Sequence, residues 1–451
     1  MGFLNRENTI APEGFNRWKI PPAALAIHLC IGQIYAYSVF NDPLTRVIGI
    51  TESVDADWSL TQLGWIFSIA LFTLGASAAI FGKWVERSGP RKAMFVSALC
   101  FAGGFMVSAL GVKLHILPLI YLGHGVLGGI GLGLGYISPV STLIKWFPDR
   151  PGLATGMAIM GFGGGAMIAS PLSVKLMEHF QGPESVGIAE TFICMGAIYF
   201  VFMMFGMLTV RIPSGSASAV DADQSARPQL PVAADQAIRT PQFWLVFTVL
   251  MLNVTAGIGV LGQASIMIQE MFSAERAEVL RPIDAAAAAG FVGLLSLFNM
   301  VGRFFWSSTS DRIGRKNTYS VFFVLGAILY FLIPSLGSLN SPVGFILGFC
   351  VIISMYGGGF ATVPAYLKDL FGTYQVGAIH GRLLLAWSLA AIFGPTLVNY
   401  IRAYQIESLH IPASKAYSTT MYIMAGLLIL GLIANLAIKP VNPKYHVQKN
   451  Q

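Results

Sequence analysis

Twelve long apolar runs, separated by short polar turns, dominate the chain. They fall at roughly 20–40, 60–82, 94–112, 116–143, 153–174, 189–210, 241–269, 287–307, 317–336, 342–366, 378–401 and 417–438. A hydrocarbon core of ~30 Å needs about 20 helical residues to cross it, and every run approaches or exceeds that length. Backbone in lipid must satisfy its own hydrogen bonds, so each run is expected as a helix. Most are rich in Gly and Ala, which lets helices approach closely in lipid. Thr240-Pro241 reads as an N-cap followed by proline at the first helical position of the seventh run. The pattern predicts an all-α integral membrane protein with twelve transmembrane helices.

The runs divide into two sets of six. Residues 212–240 form the one long polar stretch, rich in Pro, Ser and Ala, and are expected as a flexible linker. The expected plan is an N-tail (1–19), an N-terminal six-helix bundle (20–211), the linker (212–240), a C-terminal six-helix bundle (241–438) and a C-tail (439–451). The two sets also repeat. GKWVERSGPRK (82–92) matches SSTSDRIGRK (307–316), with Glu86 and Asp311 225 residues apart. The same offset relates Arg87 to Arg312, Gly89 to Gly314, Gly133 to Gly358, Pro139 to Pro364 and Gly156 to Gly381. One constant offset across separate loops and helices indicates an internal duplication. Paired repeats of this kind place a substrate site near the bilayer midplane, between the halves.

Composition agrees with the pattern: 55% of residues are hydrophobic and only 11% charged, against about 25% charged in a soluble domain. The formal charge of +7 does not point to nucleic acid, because the basic residues sit in clusters between apolar runs. With the N-terminus in the cytoplasm, 19 of the 28 Lys and Arg fall on the inside. Both termini are therefore expected to be cytoplasmic, in a multi-pass protein of the cell (inner) membrane. The N-terminus lacks the short apolar core and cleavage site of a signal peptide, so the first run is expected to be retained. Cys30, Cys100, Cys194 and Cys350 all lie inside apolar runs without metal-binding spacing. No cofactor or metal is expected, and the chain is expected to work as a monomer.

In both loops an acidic residue and Arg precede a Gly and further basic residues, which suits a tight turn between helices. Glu86, Arg87, Gly89 and Arg91, with Asp311, Arg312, Gly314 and Arg315, are expected to hold the cytoplasmic side closed through ion pairs that break on opening. GKWVERSGPRK resembles the signature loop of the major facilitator superfamily, and SSTSDRIGRK its second copy. GQIYAYSVF (32–40), KWFPDRPGLATG (145–156) and TPQFW (240–244) are similar to stretches of the oxalate/formate antiporter family, which is related to the monocarboxylate transporters. The resemblance spans almost the whole chain apart from the tails and linker. It implies the two-bundle major facilitator fold and a secondary carrier.

Arg303 lies inside the apolar stretch SLFNMVGRFFWSS, where an ionised group is costly unless something stabilises it or needs it. Ser296, Asn299 and Ser307 share its helical face. No carboxylate within the runs is an obvious partner, and a guanidinium accepts a carboxylate bidentately. The resemblance implies that Arg303 binds a substrate carboxylate. It also implies a Lys in the eleventh run of oxalate exchangers, where this chain has Trp387. One deep cation would leave a dianion half-neutralised, so a monocarboxylate of pyruvate, lactate or formate type is expected. Tyr35, Tyr136 and Tyr356 are candidate donors to it. Tyr35 shares a face with His28, while Gln33 and Tyr37 point roughly opposite. His28 and His124 are candidates for a proton relay, and coupling by proton symport or by anion exchange stays open.

Other classes fit less well. A drug exporter of this fold would want an apolar cavity with a membrane carboxylate. An oxalate or other dicarboxylate antiporter would want a second cation. An enzyme would need a catalytic constellation, and neither HExxH, a Walker A loop nor a His/Asp cluster is present. The glycine run GFGGGA (161–166) is expected to serve helix packing.

Overall fold

A computed structural model describes residues 2–214, 231–261, 263–272, 283, 285–339, 341–412 and 415–447. Most of the expected linker (215–230) lies outside the described residues. Among the described residues all regular structure is helical, with only isolated bridges such as Ile10–Ile212 and no strand. The helices are α1 (Ile20–Ile31), α2 (Leu60–Ser88), α3 (Pro90–Lys113), α4 (Leu117–Trp146), α5 (Pro151–Phe180) and α6 (Ile188–Thr209). The second set is α7 (Pro241–Leu261), α8 (Ala285–Ile313), α9 (Arg315–Ser338), α10 (Pro342–Phe371), α11 (Val376–Ser408) and α12 (Ser418–Ala437). Eleven helices among the described residues are long and apolar enough to cross a membrane. The expected eighth run forms α8, whose 29 residues give about 43 Å of helix at ~1.5 Å each.

Several runs depart from plain α-helix. The first continues from α1 as a tighter 3-10 stretch, Gly32–Phe40, and α4 contains a π-helical stretch, Tyr121–Leu127. Thr240 caps α7 as expected, its Oγ1 accepting from the Phe243 N–H at 3.3 Å. Outward faces carry exposed apolar side chains such as Trp65, Phe72, Phe202, Phe331 and Ile433, while Arg303, Asn299, His28 and His380 are buried. That inversion of the soluble pattern is what lipid requires.

Two close-packed seams join the sets of six. In one, α2 meets α11; a Cβ at Gly75 would lie 2.1 Å from Ser388 Oγ, and one at Gly381 2.2 Å from the Ala78 carbonyl. In the other, α8 meets α5; a Cβ at Gly156 would lie 2.2 Å from Ser307 Oγ, and one at Gly152 2.1 Å from the Ser307 carbonyl. Only glycine permits these approaches.

The 225-residue repeat reappears at the ends of both seams, on the face that bears the termini. Glu86, near the end of α2, accepts from the Gly377 N–H at the start of α11 (3.0 Å). Asp311, near the end of α8, accepts from Gly152 N–H (2.9 Å) and Leu153 N–H (2.8 Å) at the start of α5. Each carboxylate thus caps the positive end of a helix from the other half. Gly89 and Gly314 hold the turns at φ 86° and 87°, where a side chain would be strained.

The basic residues of the loops divide differently from expectation. Glu86 pairs with Lys145 of α4 (2.6 Å), not with a neighbouring arginine. Arg315 holds Asp311 (2.5 Å) and Asp369 (3.1 Å). Arg87 and Arg312 are exposed. Arg91 is buried and ties down the N-tail, donating to the Phe3 and Asn8 carbonyls and stacking on the Phe3 ring.

The expected linker is ordered at its far end. A short helix, Ala234–Ala237, lies across the same face. Asp235 is held by both Lys83 of α2 and Arg382 of α11, which also donates to the Ala234 carbonyl. This segment reaches both halves because two cations from opposite sets converge on one carboxylate.

Candidate functional site

Arg303 is fully buried about two-thirds of the way along α8, ten residues before its end at Ile313. Glycines make its slot: a Cβ at Gly163 of α5 would lie 3.0 Å from Nε, and one at Gly357 of α10 3.1 Å from Cγ. The expected glycine run in α5 therefore packs helices and also makes room for a guanidinium. Asn299, one turn earlier, accepts from Arg303 Nε at 3.0 Å, and the Ile159 carbonyl accepts from Nη1 at 3.4 Å. Nη2 has no protein partner. The guanidinium sits between the rings of Phe162 (5.6 Å) and Phe360 (5.3 Å). Ring faces favour a cation but supply no counter-charge. Ser307 and Ser296 share the helical face, yet both hydroxyls donate to carbonyls of their own helix.

An aromatic shell closes around this centre from both halves. Trp387 of α11 packs on Phe360 (4.6 Å), Phe162 (5.4 Å) and Tyr136 (5.7 Å). Tyr35 packs edge-on against Phe162 (5.2 Å), and its hydroxyl meets that of Tyr356 at 3.2 Å, across the interface of the halves. Tyr136 lies against His28 (5.4 Å) and His380 (5.8 Å). His28 bonds through Nδ1 to the Ala24 carbonyl at 3.0 Å.

Arg303, Asn299, Tyr35, Tyr136, Tyr356, Trp387 and His28 therefore come together, from α1, its 3-10 extension, α4, α8, α10 and α11. His124 does not. It lies in the π-helical stretch and is caged by Tyr37 (4.4 Å), Phe105 (5.0 Å) and Phe192 (6.2 Å) inside the first half. His380 was missed because it opens the eleventh run beside charged residues and reads as a loop-end histidine; it is buried in α11. Arg382, two residues on, points instead to Asp235 at the termini face.

Five buried polar atoms in this cluster lack a protein partner: Arg303 Nη2, His28 Nε2, His380 Nε2, Tyr136 Oη and Trp387 Nε1. Each such atom costs about 1–3 kcal/mol if left unmet. Five together, converging from both halves, leave this centre with the open hydrogen-bonding capacity that a polar guest would need. Among the described residues no carboxylate lies within ion-pair distance of Arg303, and no group of three or more acidic, His or Cys residues could hold a metal.

A helical membrane protein built from two repeated sets of six helices, with one buried polar centre between them, is a transporter in architecture. The sequence profile of the Major Facilitator Superfamily matches residues 23–395, and the chain belongs to that superfamily. It is 27% identical to the oxalate:formate antiporter of Oxalobacter formigenes, over 84% of this chain and 83% of that protein. It is 25% identical to the uncharacterized MFS-type transporter YhjX of Escherichia coli (83% and 86%) and to human monocarboxylate transporter 11 (93% and 84%). Among solved structures it is similar to the proton:xylose symporter XylE, with a TM-score of 0.69 at 15% identity over 92% of this chain and 94% of XylE. It is also similar to FucP in its outward conformation, with a TM-score of 0.65 at 13% identity (93% and 98%). At these identities the structural likeness speaks for the fold. The protein is a multi-pass membrane transporter of this superfamily.

Proposed function

We propose that the protein is a secondary carrier of small organic monocarboxylates, with Arg303 as the anchor for the carboxylate. The observation that carries this reading is a guanidinium at 0% exposure with a free Nη2 and no acidic partner among the described residues. A carboxylate entering the aromatic shell supplies the counter-ion that the protein withholds. The curated relatives that act on an oxalate/formate pair and, by name, on monocarboxylates support the same class.

A dicarboxylate such as oxalate is the second reading, favoured by the antiporter relative. Trp387 and Arg382 argue against it. The indole sits within the shell, and Arg382 is committed to Asp235 and the Ala234 carbonyl. At an effective dielectric of ~20, each charge pair near 4 Å is worth about 4 kcal/mol, so a second carboxylate without a cation forgoes stabilisation of that order.

Transport proceeds by alternating access between the two six-helix halves, with both termini in the cytoplasm. The carboxylates Glu86 and Asp311 hold the cytoplasmic face shut by capping helices of the opposite half. Proton symport and anion exchange both fit one cationic site. The test is uptake of labelled pyruvate, lactate, formate and oxalate by proteoliposomes, with and without an inward proton gradient. Wild type carries a monocarboxylate, and both Arg303→Ala and Arg303→Lys lose it. Normal uptake by Arg303→Ala, or carriage of oxalate alone, would overturn the reading. Gradient dependence separates symport from exchange.

A further inference from the structure

The Arg303 anchor leaves part of the cluster without a task. His28, Tyr136 and His380 come from α1, α4 and α11; neither imidazole hydrogen-bonds the guanidinium, and the Tyr136 hydroxyl, which lies close to Arg303, makes no well-aligned hydrogen bond of its own. Ring centroids run His28–Tyr136–His380 at 5.4 and 5.8 Å, with Tyr136 in the middle. All three are buried, and Nε2 of His28, Oη of Tyr136 and Nε2 of His380 have no protein partner. Tyr136 also packs on Phe162 (5.4 Å), the ring beneath Arg303, so these atoms flank the same space as the free Nη2.

The internal repeat sets these positions beside a differently built counterpart. At the 225-residue offset, His380 corresponds to Thr155 and Tyr136 to Ala361. At the matching positions of the second copy, Thr155 Oγ1 donates to the Ala361 backbone carbonyl at 2.6 Å, and Ala361 carries no polar side-chain atom. The same offset sets Arg303 against Ala78 and Trp387 against Phe162. The two seams therefore share a backbone plan, and they differ in side chain at the positions that surround the centre. One copy closes the contact with small groups. The other replaces them with a phenol and an imidazole whose polar atoms are left open. An acceptor–donor set opened in only one of two matched seams suits an asymmetric guest.

We infer that His28, Tyr136 and His380 form a second, uncharged pole of the site, which hydrogen-bonds an oxygen substituent of a substrate whose carboxylate rests on Arg303. His380 is its specificity-determining residue. Among the described residues no carboxylate forms an ion pair with either imidazole. The pole therefore offers hydrogen bonds, not a second cation, and the guest is a hydroxy- or oxo-substituted monocarboxylate in preference to a plain one. This rests on the carboxylate reading of Arg303.

The test is equilibrium binding to purified protein in nanodiscs, by calorimetry, with three-carbon acids that differ only at the second carbon: propionate, lactate and pyruvate. Wild type, His380→Phe, His380→Gln and Arg303→Gln are compared. In wild type, lactate or pyruvate binds about tenfold or more tighter than propionate, the scale of one good neutral hydrogen bond. In His380→Phe the ratio falls to within about twofold of one, because the substituted acid loses affinity, and His380→Gln restores part of it. Equal binding of the three acids by wild type overturns the inference and leaves a pole that holds only water. A ratio that survives in His380→Phe overturns it as well. If His380→Phe binds none of the acids, the His380→Gln ratio decides: a ratio still clearly above one supports the pole, and a ratio near one, with the substituent unrecognised by a side chain that can still hydrogen-bond, sinks the proposal. Loss of all three acids in Arg303→Gln, alongside any of these failures, spares the carboxylate reading; binding of all three by Arg303→Gln refutes that reading itself.

Discussion

Asp311→Asn tests the capping of one half by the other. Asp311 accepts from Gly152 N–H at 2.9 Å and Leu153 N–H at 2.8 Å, both in α5 of the opposite set, and from Arg315 Nη2 of its own set at 2.5 Å. The Arg315 pair lies within one half, so its loss weighs similarly on closed and open states and largely cancels. The cross-half terms do not. Asparagine keeps one acceptor oxygen and turns an NH2 donor toward the second backbone N–H. One charge-assisted hydrogen bond is worth about 1.5–3 kcal/mol, and the charge at a helix N-terminus adds ~0.3–2 kcal/mol. The closed state should therefore lose roughly 2–4 kcal/mol relative to one in which this face is open. At 1.4 kcal/mol per decade, that is a shift of about 30- to 1,000-fold. Spin labels at Arg87 and Tyr374, both exposed on this face, report on the other seam and avoid local effects of the substitution. With Cys30, Cys100, Cys194 and Cys350 replaced, dipolar spectroscopy should show a longer-distance population in Asp311→Asn and a smaller one in Glu86→Gln. Glu86 makes a single cross-half bond, to Gly377 N–H at 3.0 Å, so its share is less. Wild-type distance distributions in both folded variants would refute the reasoning.

Further outcomes follow from the same geometry. Gly163→Ala should weaken monocarboxylate binding about tenfold or more, since its Cβ would sit 3.0 Å from Arg303 Nε and overpacking costs ~1–3 kcal/mol; Gly103→Ala in α3, with nothing within 4 Å, is the neutral control in the same binding assay. The Asp235 carboxyl is held down to about 2 by Lys83 and then Arg382. A depressed value stabilises above the ordinary carboxylate range, so the melting difference between wild type and Asp235→Asn should hold at pH 5–7 and vanish as pH falls through about 2. That difference should be small, because the carboxylate is 57% exposed and screened. Trp387→Lys places a second cation against Phe162, Phe360 and Tyr136 and should raise oxalate uptake relative to pyruvate in proteoliposomes; an unchanged ratio would remove Trp387 from the selectivity argument.

The amino-acid order by itself determined the membrane class, the number and approximate limits of the helices, the duplication, and Arg303 as the anomalous charge. Each of these is a local property: hydropathy over about 20 residues, or a repeat read at constant offset. The close approaches at Gly156 and the slot at Gly163 were legible only as glycine richness. Tertiary structure decided which groups meet. Glu86 caps a helix 291 residues away, Asp311 one 159 away, and Tyr35 reaches Tyr356 across 321. No local pattern encodes those separations. Arg91 matched the gating motif yet anchors the N-tail, and the linker expected to be flexible ends in a strap held by Lys83 and Arg382. His380 became visible only when α11 folded against α4. Whether a buried polar atom is satisfied depends on its neighbours in space, and so the second pole of the site emerged from the fold and not from the order of residues.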